Sequence, residues 1–240
     1  WRILLEDLQS LYQQRQQGQS PHLPAKTASY QAWGRALQRY AESPHLQAQR
    51  GYWHAQTASP GRIPAAPWPC DHPQGRAQNR DRANQSLSLD STRTRQLLHD
   101  ANGAYRTRIQ ELLLAALARS LSEWTGHADI GIELEGHGRE ADAVIQTTHG
   151  INANHHNSNN SALDLSRSIG WFTSLYPVKL SVGRDWAETI KTVKEQLRSV
   201  PDNGLGYGVL RYLSDQSGNH EQVAVEGQRH DKPQVTFNYL

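Results

Sequence analysis

Methionine is absent from the 240 residues. A translated chain begins with it, so Trp1 is not expected to be a native start, and the sequence reads as a piece of a longer polypeptide. Cysteine is nearly absent too. Cys70 stands alone, which excludes an internal disulfide and a four-thiolate zinc site. No apolar run approaches the roughly 20 residues that a membrane-spanning helix needs, and no charged-then-apolar leader is visible. A charge excess is also missing. Basic residues number 25 and acidic ones 23, for a net charge of +2, which gives no electrostatic reason to expect nucleic acid. Nor does any segment repeat at a fixed period. What remains is 36% hydrophobic and 20% charged. That composition can bury a core and is not that of a disordered chain. The length suits one large domain or two small ones.

The pattern predicts a helix from Trp1 to about Gln17, where Trp1, Leu4, Leu5, Leu8, Leu11 and Tyr12 recur at helical spacing. Gly18, Pro21 and Pro24 stop it. Tyr30, Trp33, Leu37 and Tyr40 form the stripe of a second helix and are expected to pack a core. Residues 61–85 hold clustered prolines and read as a linker, with a boundary between lobes expected near residue 75. Ser86–Asp90 could be a short strand, and Arg93 to about Ala101 a helix.

The clearest helix runs from about Thr107 to Trp124. Ile109, Leu112, Leu113, Ala116, Leu117 and Trp124 lie on one expected face, Leu114, Ala118 and Leu121 widen it, and Gly126 is the stop. Ile130, Ile132 and Leu134 alternate with Gly131, Glu133 and Glu135 as in a strand. Ala141–Ser161 turns polar and reads as a surface loop. Leu175–Val182 alternates again. Asp185 then caps a helix with Glu188 three positions on, and Trp186, Ile190, Val193 and Leu197 make its expected buried stripe. Gly204, Gly206 and Gly208 read as a flexible turn, and Val235, Phe237 and Tyr239 as one side of a last strand. Strands and helices mix without regular alternation, so the fold class is α/β or α+β.

Four constellations could carry chemistry. Glu135-Gly136-His137-Gly138-Arg139-Glu140 sets a carboxylate at a strand end before two glycines, where the backbone can turn sharply and a ligand can approach. Glu135 could act as a general base there, with His137 or Arg139 orienting it. The bland alternative is a charged hairpin turn. His149, His155 and His156 could hold a metal, but their Asn and Ser neighbours suit a solvated loop. Gly204-Leu205-Gly206-Tyr207-Gly208 resembles a phosphate-cradling turn, yet Val209 breaks G-x-G-x-x-G and no Lys-Ser/Thr pair follows. Cys70 has Asp71 and His72 beside it. Sequence neighbours do not make a catalytic dyad, and there is no G-x-S-x-G.

Several segments, taken in order, resemble the epimerization domain of a nonribosomal peptide synthetase, a member of the condensation-domain superfamily. They are Ile132–Glu140 (IELEGHGRE), Arg167–Pro177 (RSIGWFTSLYP), Pro201–Gly208 (PDNGLGYG) and Phe237–Leu240 (FNYL). The helix from Ile109 to Trp124 and the opening WRILLEDL add to the likeness, which spans nearly the whole chain.

The resemblance implies a chloramphenicol-acetyltransferase-like fold of two lobes. Residues 1–75 would be the C-terminal part of the N-lobe with its linker, and 76–240 most of the C-lobe. The implied activity is inversion at Cα of an aminoacyl or peptidyl thioester. The substrate rides on the 4'-phosphopantetheine of a peptidyl carrier protein domain, with other synthetase modules as further partners. No cofactor or metal would be bound by the domain itself. The glutamate of the EGHGR-type motif, here Glu135, is one catalytic group of the family. The other is a histidine in an HHxxxDG motif lying before the segment that matches Trp1. His137, Arg139, Asn238 and Tyr239 would support the site or line its channel.

These 240 residues alone are therefore expected to be inactive, and the His/Asn run at 149–160 reads as an insertion without a role. Neither nucleic acid nor membrane is an expected partner, and the expected location is the cytoplasm. Three competing readings stay open. One is a condensation domain forming peptide bonds. Another is a non-catalytic module that docks a carrier. The third is an acyltransferase of the same fold acting on a free substrate.

Overall fold

The computed structural model describes residues 1–57, 68–72, 75, 78–148, 163–214 and 233–239. In chain order the first helices are α1 (Arg2–Gln16), α2 (Tyr30–Ala41), α3 (Pro44–Ala48) and α4 (Arg50–Thr57). After a 3-10 turn at Asn79–Asp81 comes α5 (Ser91–Arg95), which runs through a π-helical turn at Gln96–Ala101 into α6 (Asn102–Tyr105). Then follow α7 (Ile109–Thr125), strand β1 (Asp129–Gly136), α8 (Ala141–Thr148), β2 (Ser174–Ser181) and α9 (Trp186–Arg198). A 3-10 turn at Pro201–Gly204 leads into α10 (Leu205–Tyr212), and β3 (Thr236–Phe237) completes the elements. This is the mixed helix-and-sheet class expected from the patterning.

The chain divides into two compact units that interleave in sequence. One comprises Trp1–Gly51, Gly136–Ser174 and Pro201–Val223; the other comprises Tyr52–Glu135, Leu175–Val200 and Ala224–Leu240. Packing groups the chain in this way because segments far apart in sequence share each core.

In the first unit α2 packs on α8, α10 and α3. Ser29 caps α2 and Ser43 caps α3, each accepting the backbone N–H three residues on. Trp33, Tyr40, Leu46, Val144, Phe172, Val209 and Leu210 are buried here. Each such side chain contributes about 1.5–3 kcal/mol against exposure. Residues 141–148, expected in a loop, form α8. Val144 is 1% exposed there, and contact with α2 supplies a helical stability that the polar composition does not advertise. Helix α10 replaces the expected flexible turn. A Cβ at Gly206 would lie 2.8 Å from Leu46 Cδ1 and 2.3 Å from Gln49 Oε1, so that glycine lets α10 press close to α3.

α1 has the expected span, but none of its residues is buried. Periodicity marks an apolar face without saying what that face meets.

In the second unit β1 lies between β2 and β3. β1 and β3 run parallel, with Glu133 opposite Thr236 and Leu134 opposite Phe237. Ile130, Ile132 and Leu134 are buried as the alternation predicts, and so are Tyr176, Val178 and Leu180 of β2. α7 packs on α9. Buried Glu111 accepts Arg198 Nε at 2.9 Å and caps the Arg108 N–H at 2.9 Å. Of the expected face of α7, Leu112, Leu114 and Ala118 are buried, and Glu111 and Ala115 join them. Trp124 is 57% exposed and rests on Trp68 at 5.6 Å. Trp186, expected inside α9's stripe, is 51% exposed. Its ring instead carries the Arg119 guanidinium at 5.6 Å. Asp185 caps α9 as expected, while Glu188 reaches back to the Arg184 N–H at 2.9 Å. Ser86–Asp90 is exposed and belongs to no strand among the described residues, because alternation makes chain extended but cannot supply it with a partner.

Candidate active site

β1 delivers Glu135 to its C-terminal end, where the side chain is half-buried. The parallel pairing of β3 carries the next residues of that strand alongside. Leu134 is level with Phe237, so Asn238 comes level with Glu135. The Asn238 amide donates to Glu135 Oε2 at 2.8 Å. One step back the same register lets Thr236 Oγ1 donate to Glu133 Oε2 at 3.2 Å. Two residues expected in one site from separate motifs, 103 positions apart, therefore meet. Tyr239 follows and is 48% exposed.

Beyond the strand the chain turns at Gly138, with φ +66°. A Cβ there would lie 1.6 Å from the Phe172 carbonyl oxygen, so only glycine fits. Arg139 follows and fastens the loop that includes Phe172. Its Nη1 donates to the Leu165 carbonyl at 2.5 Å and its Nη2 to the Ser168 carbonyl at 2.9 Å. Its guanidinium lies 3.9 Å over the Phe172 ring. From the other side Tyr30 donates to the Trp171 carbonyl at 2.6 Å and meets Phe172 edge-on at 5.2 Å. Ser168 Oγ donates to the Ala28 carbonyl.

His137 is exposed. Its Nε2 faces Glu140 at 3.2 Å, and its Nδ1 accepts the Arg139 N–H at 3.0 Å. The expectation that His137 or Arg139 orients Glu135 needs revision. His137 turns to Glu140, and Arg139 holds main-chain carbonyls of the 165–168 loop. Their observed work is to shape the corner, while Asn238 touches the Glu135 carboxylate.

A second carboxylate, which the sequence did not single out, stands in the PDNG turn. Asp202 and Asn203 both have left-handed backbone, φ +45° and +48°, ahead of Gly204 at φ +85°. Two non-glycine residues in that region hold strain that the surroundings must offset. Asp202 Oδ2 accepts the Tyr40 hydroxyl, faces His45 Nε2 at 2.8 Å and accepts Gln49 Nε2 at 2.5 Å. Burial alone would raise the Asp202 carboxyl. The donors Tyr40, His45 and Gln49 outweigh it and hold the group below the ordinary carboxylate value. Burial, then the facing Asp202 carboxylate, pushes the Tyr40 hydroxyl well up, so it stays a donor. An Asp-Asn-Gly run is a turn signal, but nothing local reveals the donors.

The remaining candidates resolve simply. Gly206 and Gly208 lie inside α10, which removes the phosphate-cradle reading. Cys70 is exposed. Among the described residues no cluster of His, Cys, Asp and Glu could hold a metal ion. His149, His155 and His156 lie outside the described residues, as does Leu240. No helix among the described residues is long and apolar enough to cross a membrane.

A family model described as Condensation domain matches residues 1–228. A linear gramicidin synthase subunit from Brevibacillus parabrevis is 41% identical over 244 residues, covering 100% of this chain and 3% of that protein. A mycosubtilin synthase subunit from Bacillus subtilis is 40% identical over 242 residues, covering 100% and 8%. Among solved structures, the epimerization domain from the third module of tyrocidine synthetase B is similar with a TM-score of 0.78 at 34% identity. The match covers 100% of this chain and 48% of that one. The first condensation domain of the calcium-dependent antibiotic synthetase has a TM-score of 0.57 at 20% identity, covering 88% and 42%, a likeness of fold alone. The chain thus spans 3% and 8% of the two curated relatives and under half of either solved domain.

Proposed function

The chain belongs to the condensation-domain family of nonribosomal peptide synthetases, and from that premise we propose that it is part of an epimerization domain. The reaction is inversion at Cα of an aminoacyl or peptidyl thioester carried on the phosphopantetheine of a carrier domain. A proton leaves one face of Cα, the electron pair is held as an enolate, and a proton returns to the opposite face. Atoms and charge balance without a redox partner. Two acid/base groups are needed, together with stabilisation of the enolate oxygen. Glu135 is one of the two. The other is the histidine of the HHxxxDG motif, which does not occur in these 240 residues; by themselves they are inactive.

The observation that supports this reading is the Glu135–Asn238 hydrogen bond of 2.8 Å, since it joins two motifs of the resemblance at one carboxylate. Asn238 holds Oε2 and leaves Oε1 for the proton. His137 and Arg139 maintain the corner, and Tyr239 lines the approach. In the parent domain residues 1–75 finish the N-lobe and 76–240 make most of the C-lobe. Partner carriers and neighbouring modules supply the substrate in the cytoplasm, and no cofactor or metal resides in this part.

The test uses the intact parent module. Its carrier is loaded with an L-aminoacyl or peptidyl thioester in deuterated water, and deuterium at Cα is followed with the D/L ratio. Exchange and D-product that collapse in Glu135→Gln support the proposal. Absence of exchange in the unaltered module, with peptide-bond formation when an acceptor is supplied, would replace it by condensation. Absence of both, with carrier binding retained, would leave a docking module.

A further inference from the structure

Glu135 has a neighbour of its own kind on β1. Side chains alternate along a strand, so Glu133 and Glu135 share one face while Ile132 and Leu134 are buried on the other. Two residues of strand set them about 6.6 Å apart. The parallel strand β3 treats the two alike. Thr236 Oγ1 donates to Glu133 Oε2 at 3.2 Å, and the Asn238 amide donates to Glu135 Oε2 at 2.8 Å. Each carboxylate is oriented from the same side, and neither bond engages its Oε1.

The proposed reaction uses Glu135 and leaves Glu133 without a task. Glu133 is half-buried, and its partner Thr236 is a neutral hydroxyl. Among the described residues no basic side chain pairs with it. Lys179 of β2 lies instead against Asp129 Oδ2 at 3.9 Å. A half-buried carboxylate whose charge is not cancelled favours a cation beside it.

The geometry of inversion says where a cation would come from. In the enolate Cα is planar, and protons enter and leave along the normal to that plane. With Glu135 on the normal, the substrate side chain lies in the plane, along the surface of β1. That strand ends one residue past Glu135, so its surface extends toward Glu133. An extended lysine side chain carries its ammonium roughly 6 Å from Cα, close to the spacing of the two carboxylates. We propose that Glu133 determines specificity, and that the residue inverted at Glu135 bears a basic side chain of lysine's length. The inference rests on the epimerisation reading and names its substrate class. The side chain moves little as Cα flattens, so the contact acts on occupancy of the site and not on the proton transfer.

The experiment uses the intact parent module in deuterated water, with its carrier loaded in turn with L-lysine and with L-norleucine, which keeps the carbon chain and lacks the ammonium. Single-turnover exchange at Cα is compared at equal loading. The lysyl thioester is expected to exchange at least about tenfold faster, as a charged hydrogen bond allows. Glu133→Gln should abolish that preference and leave the norleucyl rate unchanged, which also shows that the variant folds. Glu133→Lys should turn the preference against lysine. Equal rates for the two thioesters in the unaltered module would overturn the proposal. So would a preference that survives Glu133→Gln, or an equal loss for both thioesters, the mark of a structural role. Exchange of neither thioester by the unaltered module is a different result: it removes the epimerisation reading and this inference with it.

Discussion

Glu135 and Asp202 are both carboxylates at the mouth of a glycine-bearing motif, and their surroundings differ. Asp202 Oδ2 takes three side-chain donors, from Tyr40, His45 and Gln49. Its side chain is 16% exposed, and its backbone is held left-handed. Glu135 ends a regular strand and takes one donor, from the exposed Asn238. Three donors converging on Oδ2 tie Asp202 to its own fold. A carboxylate held by a single donor can be both positioned and reactive. The two motifs look alike as letters, and the number of donors that the fold sets on the carboxylate separates a structural acid from a candidate catalytic one.

The sharpest way to break this contrast is to remove each charge without changing its shape. Glu135→Gln in the parent module should reduce Cα exchange by about 10²–10⁴-fold, or roughly 3–5 kcal/mol in the barrier, with Tm nearly unchanged. A folded, unimpaired Glu135→Gln enzyme would return the corner to a charged turn. Gly138→Ala should come next. The new methyl meets the Phe172 carbonyl at 1.6 Å on a φ of +66°, and a loss of about 3 kcal/mol or more in unfolding free energy is expected.

Asp202→Asn should show the reverse of Glu135→Gln. Stability should fall by about 2 kcal/mol, because three donors lose a charged acceptor, while chemistry per folded molecule is retained. The same residue predicts a pH dependence. Its folded carboxyl is held below its ordinary value. The stabilisation is therefore present above the unfolded carboxylate pKa and is lost as pH falls through the lower folded one. Measured between about pH 5 and 2, the Tm of the unaltered protein should fall more steeply than that of Asp202→Asn. Parallel curves would mean that the three donors do not favour the charged form.

These contrasts also mark how far the sequence alone reaches. β1 was legible because Ile130, Ile132 and Leu134 repeat at period two and all three are buried. Glu135 was legible as a strand-end carboxylate, and Asn238 only through the family resemblance. The Asp202 network was not legible, since its donors lie 162, 157 and 153 positions away and no local pattern encodes such a meeting. α8 was hidden for a related reason: its polar letters describe solvent, and its stability comes from α2. α1, none of whose residues is buried, shows the same limit from the other side. Period reports that a face is apolar, and only tertiary structure says where it points.

The smallest effect bears most closely on the contrast. Asn238→Ala removes the donor to Glu135 Oε2 at 2.8 Å and leaves the carboxylate in place. One charge-assisted hydrogen bond between partly exposed groups is worth about 1 kcal/mol, which corresponds to roughly a five- to tenfold loss of rate. Its character matters more than its size. If Asn238 positions the carboxylate, kcat should fall with KM little changed, because the bond is needed when the proton moves and not when the thioester binds. Asn238→Asp should be worse than Ala, since it sets a second negative charge against Glu135 where an N–H stood. Equal kcat values for Ala, Asp and the unaltered residue would make the bond incidental, and Glu135 would then owe its orientation to the strand alone.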